Sequence, residues 1–134
     1  IRVLQDEAVF VADSFYVVGR KDRTAEGSRH GGRKTTAELV RDIQKAHPII
    51  MMDHQPYDLA KAAECGVDIL LSGHTHRGQL TPNHWITGWL FELDWGYLYK
   101  GSMHAFVSSG FGTWGPPVRI GSRSEILQIH VRFT

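Results

Sequence analysis

Apolar and polar positions change rhythm several times along the 134 residues. The opening IRVLQDEAVFVADSFYVVGR holds short apolar runs parted near Asp6-Glu7 and Asp13-Ser14. It predicts short strands joined by turns, with IRVLQ already strand-like. KDRTAEGSRHGGRK follows without periodicity and with almost no apolar anchor, so residues 20–34 are expected to form a solvated, mobile loop. Leu39, Val40, Ile43 and Ala46 then share one face of TAELVRDIQKA, which Thr35 and Glu38 open with capping-box spacing and Pro48 closes. PIIMMDH is a continuous apolar run, the pattern of a strand covered on both faces. YDLAKAAEC, opened near Pro56 and stopped by Gly66, predicts a helix, and VDILLSG a second buried strand. Residues 48–73 therefore predict β-α-β, with parallel strands and a right-handed crossover.

Beyond Leu80 the chain turns aromatic, in HWITGWLFELDWGYLYKG. Trp85 and Trp89 stand four residues apart, the spacing of a short helix packed on the sheet. The alternative is a lid or lipid-facing wall near His76. MHAFVSSG, a glycine-proline loop and a last alternating strand, SEILQIHVRF, complete the pattern.

Composition narrows the classes. An apolar fraction of 42% and a charged fraction of 22% suit one globular domain with a core. Fifteen Lys and Arg against fourteen Asp and Glu give no global electrostatic reason for a nucleic-acid partner. Cys65 is the single cysteine, which excludes an internal disulfide. No window holds enough consecutive apolar residues to span a bilayer. The chain opens on Ile1, which is expected of a fragment whose natural start lies upstream.

The candidate chemistry sits at the predicted strand ends. In open α/β sheets functional groups gather beyond the carboxyl ends of parallel strands. His54 follows the first buried strand, and His74 and His76 follow the second. If residues 74–76 are extended, the last two point to one side, and Gly73 and Gly78 permit a crowded turn. Three imidazoles converging on one edge suit a transition-metal site. His30, His47, His84, His104 and His130 show no such convergence and are assigned surface or packing roles. Arg77, next to His76, is a candidate for phosphate oxygens; a salt bridge that shapes the turn is the alternative.

MMDHQP and SGHTHRGQL together resemble the calcineurin-like metallophosphoesterases, and FVSSGFGTWGPPVRIGSRSEI is similar to their branch of membrane-associated bacterial phosphohydrolases. The resemblance implies an α/β fold, the C-terminal half of a four-layer domain with mixed β-sheets flanked by helices. It implies that residues 1–134 are the C-terminal portion of a single domain. By it His54 and His74 bind one ion of a pair and His76 the other, the metals being Mn, Fe or Zn. The family's Asp-x-His, Gly-Asp and Gly-Asn-His motifs do not occur here, and Asn83-His84 follows the Gly-His-x-His motif instead of preceding it. Weak or absent metal is therefore expected in this chain alone, with no catalytic residue of its own, and activity only in the intact parent. The implied substrate is a phosphate ester, lipid-linked ones included. A non-catalytic metal-binding module and a module docking residues 85–99 on a membrane or partner are the competing readings. A half-domain is also expected to self-associate or to pair with its missing half. A membrane-associated or cytoplasmic bacterial location rests on the resemblance alone.

Overall fold

The computed structural model describes residues 1–27 and 32–133. It contains a mixed six-stranded sheet flanked by a few helices, an α/β fold. The strands are β1 (Glu7–Val11), β2 (Phe15–Gly19), β3 (Ile49–Met52), β4 (Ile69–Ser72), β5 (Gly96–Lys100) and β6 (Met103–Val107). They lie in the order β1-β2-β3-β4-β6-β5. β2, β3, β4 and β6 run parallel, while β1 and β5 pair antiparallel at the two edges. Four parallel carboxyl ends thus face one side of the molecule.

The helices are α1 (Thr36–Val40), α2 (Leu59–Glu64) and α3 (Asn83–Leu90). Thr35 caps α1 as expected: its Oγ1 accepts from the Glu38 N–H, and Glu38 accepts from the Thr35 N–H at 2.8 Å. α1 is shorter than its apolar stripe. Turns replace its later part and keep Ile43 in the core while bringing the chain round to Pro48. Gly66, with φ of 84°, stops α2 in the left-handed conformation that glycine takes without penalty.

α1 and α2 cover one face of the sheet. Leu39, Val40, Leu59 and Ala62 meet Val18, Ile49, Met51, Leu70, Met103 and Ala105 in a single core. The other face is only half covered, so β3 alternates buried and partly open positions and is not enclosed on both faces. The C-terminal residues lie over that second face. The expected last strand does not form, because residues 122–133 cross the sheet rather than pair at an edge. Residues 129–133 line one cleft with Ile50, Ile69 and Phe106. IRVLQ is not a strand either, since β1 begins at Glu7.

The basic stretch is anchored ionically rather than by apolar contacts. Buried Asp6 accepts from the backbone N–H of Lys21 at 2.9 Å and of Lys34 at 3.0 Å. Buried Asp53 accepts from Arg20 Nη1 at 3.1 Å and Arg33 Nη2 at 2.6 Å. Residues 20–27 and 32–34 are therefore tied to the sheet, contrary to the expected mobile loop. His30 and its neighbours at 28–31 fall outside the described residues.

Candidate active site

The parallel strand ends deliver the site. His54 follows β3, His74 and His76 follow β4, and Asp22 follows β2. All four line one cavity of about 810 Å³. Nε2 of His54 and Nδ1 of His74 stand 3.1 Å apart, with the ring centroids at 4.9 Å. Asp53, clamped by its two arginines, fixes the backbone from which His54 emerges. Burial is the largest influence on the Asp53 carboxyl and pushes it up, while Arg33 and Arg20 push it down. With guanidinium donors on both oxygens, the ionised form is the one that the geometry satisfies.

Residues 74–76 are not extended. His74 has φ of 70°, His76 48°, Arg77 49° and Gln79 53°. Four non-glycine residues in six positions thus occupy the left-handed region, which is costly and concentrates at functional sites. Gly78 answers a different need. A Cβ there would lie 2.3 Å from the backbone nitrogen of His84, so only glycine lets the turn approach α3 this closely.

His54 and His74 are brought together, and His76 lines the same cavity from a separate position. Among the described residues no three His, Cys, Asp or Glu side chains converge closely enough to hold one ion. His76 is held instead by Arg119, whose Nη2 lies 3.2 Å from Nδ1 of His76 and donates to the carbonyls of Ser109 and Gly110 at 2.7 and 3.1 Å. Burial lowers the pKa of His74, aided by the charges of His54 and His76 and opposed by Asp22. Burial also lowers that of His76, aided by Arg119 and His54. Both shifts favour the neutral imidazole, the form that binds metal. Asp22 is itself held below the usual carboxylate range, first by the Thr24 N–H that it accepts at 2.9 Å.

Arg77 does not face the histidine cavity. Its guanidinium stacks on Trp95, 3.8 Å from the ring centroid, and lines a separate cavity with Arg123 and Glu125. The positive φ at Arg77 turns the side chain away, and the indole face receives the cation. His47 packs on Phe10, and His104 meets the Tyr97 hydroxyl through Nδ1 at 2.9 Å, as packing histidines do.

Sequence reasoning missed Asp22 and Arg119. The strand-end rule, applied to β2 as it was to β3 and β4, finds Asp22. No local pattern marks Arg119, whose partners are brought together only by the fold.

Known proteins resemble this chain over most of its length. It is 34% identical over 136 residues to an uncharacterized metallophosphoesterase of Aquifex aeolicus, a match covering 98% of this chain and 51% of that protein. It is 37% identical over 107 residues to an uncharacterized metallophosphoesterase of Helicobacter pylori, covering 70% of this chain and 28% of that protein. It is 44% identical over 99 residues to a transmembrane protein with metallophosphoesterase domain of Danio rerio, covering 66% and 22%. The chain belongs to the metallophosphoesterases. It spans about half the length of the Aquifex relative. No family model and no solved structure matches it.

Membership in this hydrolase family implies divalent metal cofactors. The histidine pair fits such an ion. Two nitrogens 3.1 Å apart, each about 2.1 Å from a metal, subtend about 95° there, a cis pair in common coordination geometries.

Proposed function

We propose that the chain supplies the histidine part of a dinuclear phosphoesterase site that hydrolyses phosphomonoester, phosphodiester or pyrophosphate bonds. His54 and His74 hold one divalent ion and His76 faces the second. The remaining ligands, among them a bridging carboxylate, come from sequence outside these residues. The observation that carries this reading is the opposed pair of ring nitrogens, 3.1 Å apart, at adjacent parallel strand ends. When bound, the ions supply charge for the phosphate oxygens and a hydroxide at neutral pH. The chain's own residues do the rest. Asp53 with Arg20 and Arg33 fixes His54, and Arg119 holds His76 against the 109–112 loop. The left-handed turn at 74–79 aims His74 and His76 into one cavity.

The test is hydrolysis of a chromogenic phosphodiester by the intact parent with Mn²⁺. His54→Ala and His74→Ala are expected to lower turnover by about 100-fold or more, from lost metal affinity and lost charge stabilisation. His47→Ala and His130→Ala should leave it unchanged. Undiminished turnover in His54→Ala, or after chelation of metal, refutes the reading.

A second reading, docking on a membrane or partner, is favoured by α3, whose Trp85 and Trp89 are 72% and 84% exposed. The similar Danio rerio protein is named as transmembrane. In that reading the aromatic segment anchors the site at a surface, and liposome co-sedimentation of the chain measures it.

A further inference from the structure

One side chain ties the histidine turn to a loop far along the chain. Gln79 closes the left-handed turn, with φ of 53° and ψ of −45°, and is only 5% exposed. A buried amide needs partners for its donor and for its acceptor. Gln79 finds both on the main chain of the 112–120 loop. Its Oε1 accepts from the Trp114 N–H at 2.6 Å, and its Nε2 donates to the carbonyls of Trp114 at 2.8 Å and Pro116 at 3.3 Å. Its own carbonyl accepts from the Ile120 N–H at 2.9 Å, and the Thr81 N–H donates to the Ile120 carbonyl at 2.8 Å. The side chain thus grips the middle of the loop and the main chain its end.

Arg119 stands between those two holds. Its Nη2 donates to the carbonyls of Ser109 and Gly110 and lies 3.2 Å from Nδ1 of His76. Its Nη1 reaches the His76 carbonyl and the Ser122 hydroxyl, each at 3.4 Å. With its donors spent on the protein's own oxygens and on the imidazole, Arg119 is fitted to hold His76 rather than to bind a substrate. The histidines are therefore fixed by different means. His54 and His74 follow the ends of β3 and β4, whose parallel pairing sets their separation. His76 lies inside the turn, at φ of 48°, and its ring is met across the cavity edge by Arg119. Backbone in the left-handed region persists where the surroundings over-determine it. The double grip of Gln79 supplies that constraint at the end of the turn, and every group in it belongs to this chain.

We propose that Gln79 is a positioning residue for His76: it latches the 112–120 loop to the histidine turn and so sets Arg119 against the His76 ring, while the His54–His74 pair stands without it. The proposal deepens the phosphoesterase reading and rests on it for its catalytic consequence. The latch itself is read without any activity.

The test is long-range proton–nitrogen NMR of the 134-residue chain with ¹⁵N-labelled histidine, at about pH 8, where free imidazole is neutral. His76→Gln assigns the His76 signals. Gln79→Met keeps the side chain's length and removes its hydrogen bonds. In that variant the His76 ring signals should move most of the way to their positions in Arg119→Met, and those of His54 and His74 should stay. Native His76 signals in Gln79→Met overturn the proposal. So does movement of His54 and His74 as large as that of His76, which would make Gln79 a staple of the whole edge. If Gln79→Met does not fold, Gln79→Glu keeps the acceptor for the Trp114 N–H, loses the donor, and should show the same displacement. In the intact parent with Mn²⁺, Gln79→Met should lower phosphodiester turnover about tenfold, as loss of an outer positioning contact does. Added to Arg119→Met it should lower turnover no further, since both act through one contact. A full additional loss in the double variant means that Gln79 acts elsewhere and overturns the proposal. Displaced His76 signals beside a native parent that shows no metal-dependent turnover refute the phosphoesterase reading and leave the latch.

Discussion

The unit β3-α2-β4 and the segment from α3 onward are both rich in apolar residues, yet they bury them to opposite degrees. Ile49, Met51, Leu59, Val67 and Leu70 are all nearly inaccessible, whereas Trp85, Trp89, Phe111 and Trp114 are between 72% and 84% exposed. In the first region the apolar side chains of residues 48–73 join one core, closed by Val18, Leu39, Met103 and Ala105 from neighbouring elements. In the second the large side chains sit on a short helix and a glycine-proline loop that no other described residue covers as fully. Apolar content measures the need for a partner. It does not say that the partner is in the same stretch of chain.

The contrast can be broken most directly by removing apolar volume from each region. Leu59→Ala should destabilise the chain by about 2–5 kcal/mol, the range for a buried leucine whose cavity cannot collapse. Urea denaturation reads it. A loss below about 1 kcal/mol would mean that the core around α2 relaxes freely, and the distinction between the regions would weaken.

A smaller, pH-dependent effect is expected where the C-terminal segment meets the 108–110 loop. Burial pushes the Glu125 carboxyl up, but hydrogen bonds from the Ser109 N–H, Trp95 Nε1 and Ser108 Oγ outweigh it and leave the pKa lowered. A lowered folded pKa contributes stability that is present above the unfolded value, about 4.3, and is lost as pH falls through the folded one. Acid should therefore release Trp95 from Glu125. The fluorescence change should lie below about pH 4.3 and vanish in Glu125→Gln. A transition centred above that value would contradict the sign.

Least of all should follow from Trp89→Ser, within about 0.5 kcal/mol in the same urea experiment, because an exposed side chain away from caps and ion pairs carries little folding energy. A cost like that of Leu59→Ala would show Trp89 covered in solution, by a second copy or another chain, and sedimentation velocity would then identify which.

What could be read in advance follows the range over which the physics acts. The capping box spans only Thr35 to Glu38, and it stands as the pattern predicts. The β-α-β order needs only the periodicity of one continuous stretch, and β3 and β4 are parallel. Placing His54 and His74 needs one more rule, that parallel strands end on a common edge, and their rings meet. The failures are non-local. SEILQIHVRF alternates like a strand, but whether it pairs depends on edges made elsewhere, and β1 and β5 hold those edges. The charged loop looked free because its anchors, Asp6 and Asp53, lie outside it. The left-handed turn at 74–79 is poorly legible from propensity: histidine enters that region more readily than most residues but still uncommonly, and Arg77 and Gln79 are not among the residues enriched there.

The strand order also sets a schedule. The chain leaves the sheet after Ser72 and returns at Met103 to pair beside the strand that it left, with α3 and β5 inside the excursion. Closing that long loop costs more chain entropy than closing the short β3-α2-β4 unit, and non-local strand pairing is slow. The β3-α2-β4 unit and the segment that returns as β6 therefore run on different clocks. Pulse-labelled hydrogen exchange should find Leu70 and Leu71 protected before Ala105 and Phe106; simultaneous protection would mean that one nucleus organises both. During the interval His54 and the end of β4 already stand side by side, while Arg119, which holds His76, has yet to arrive.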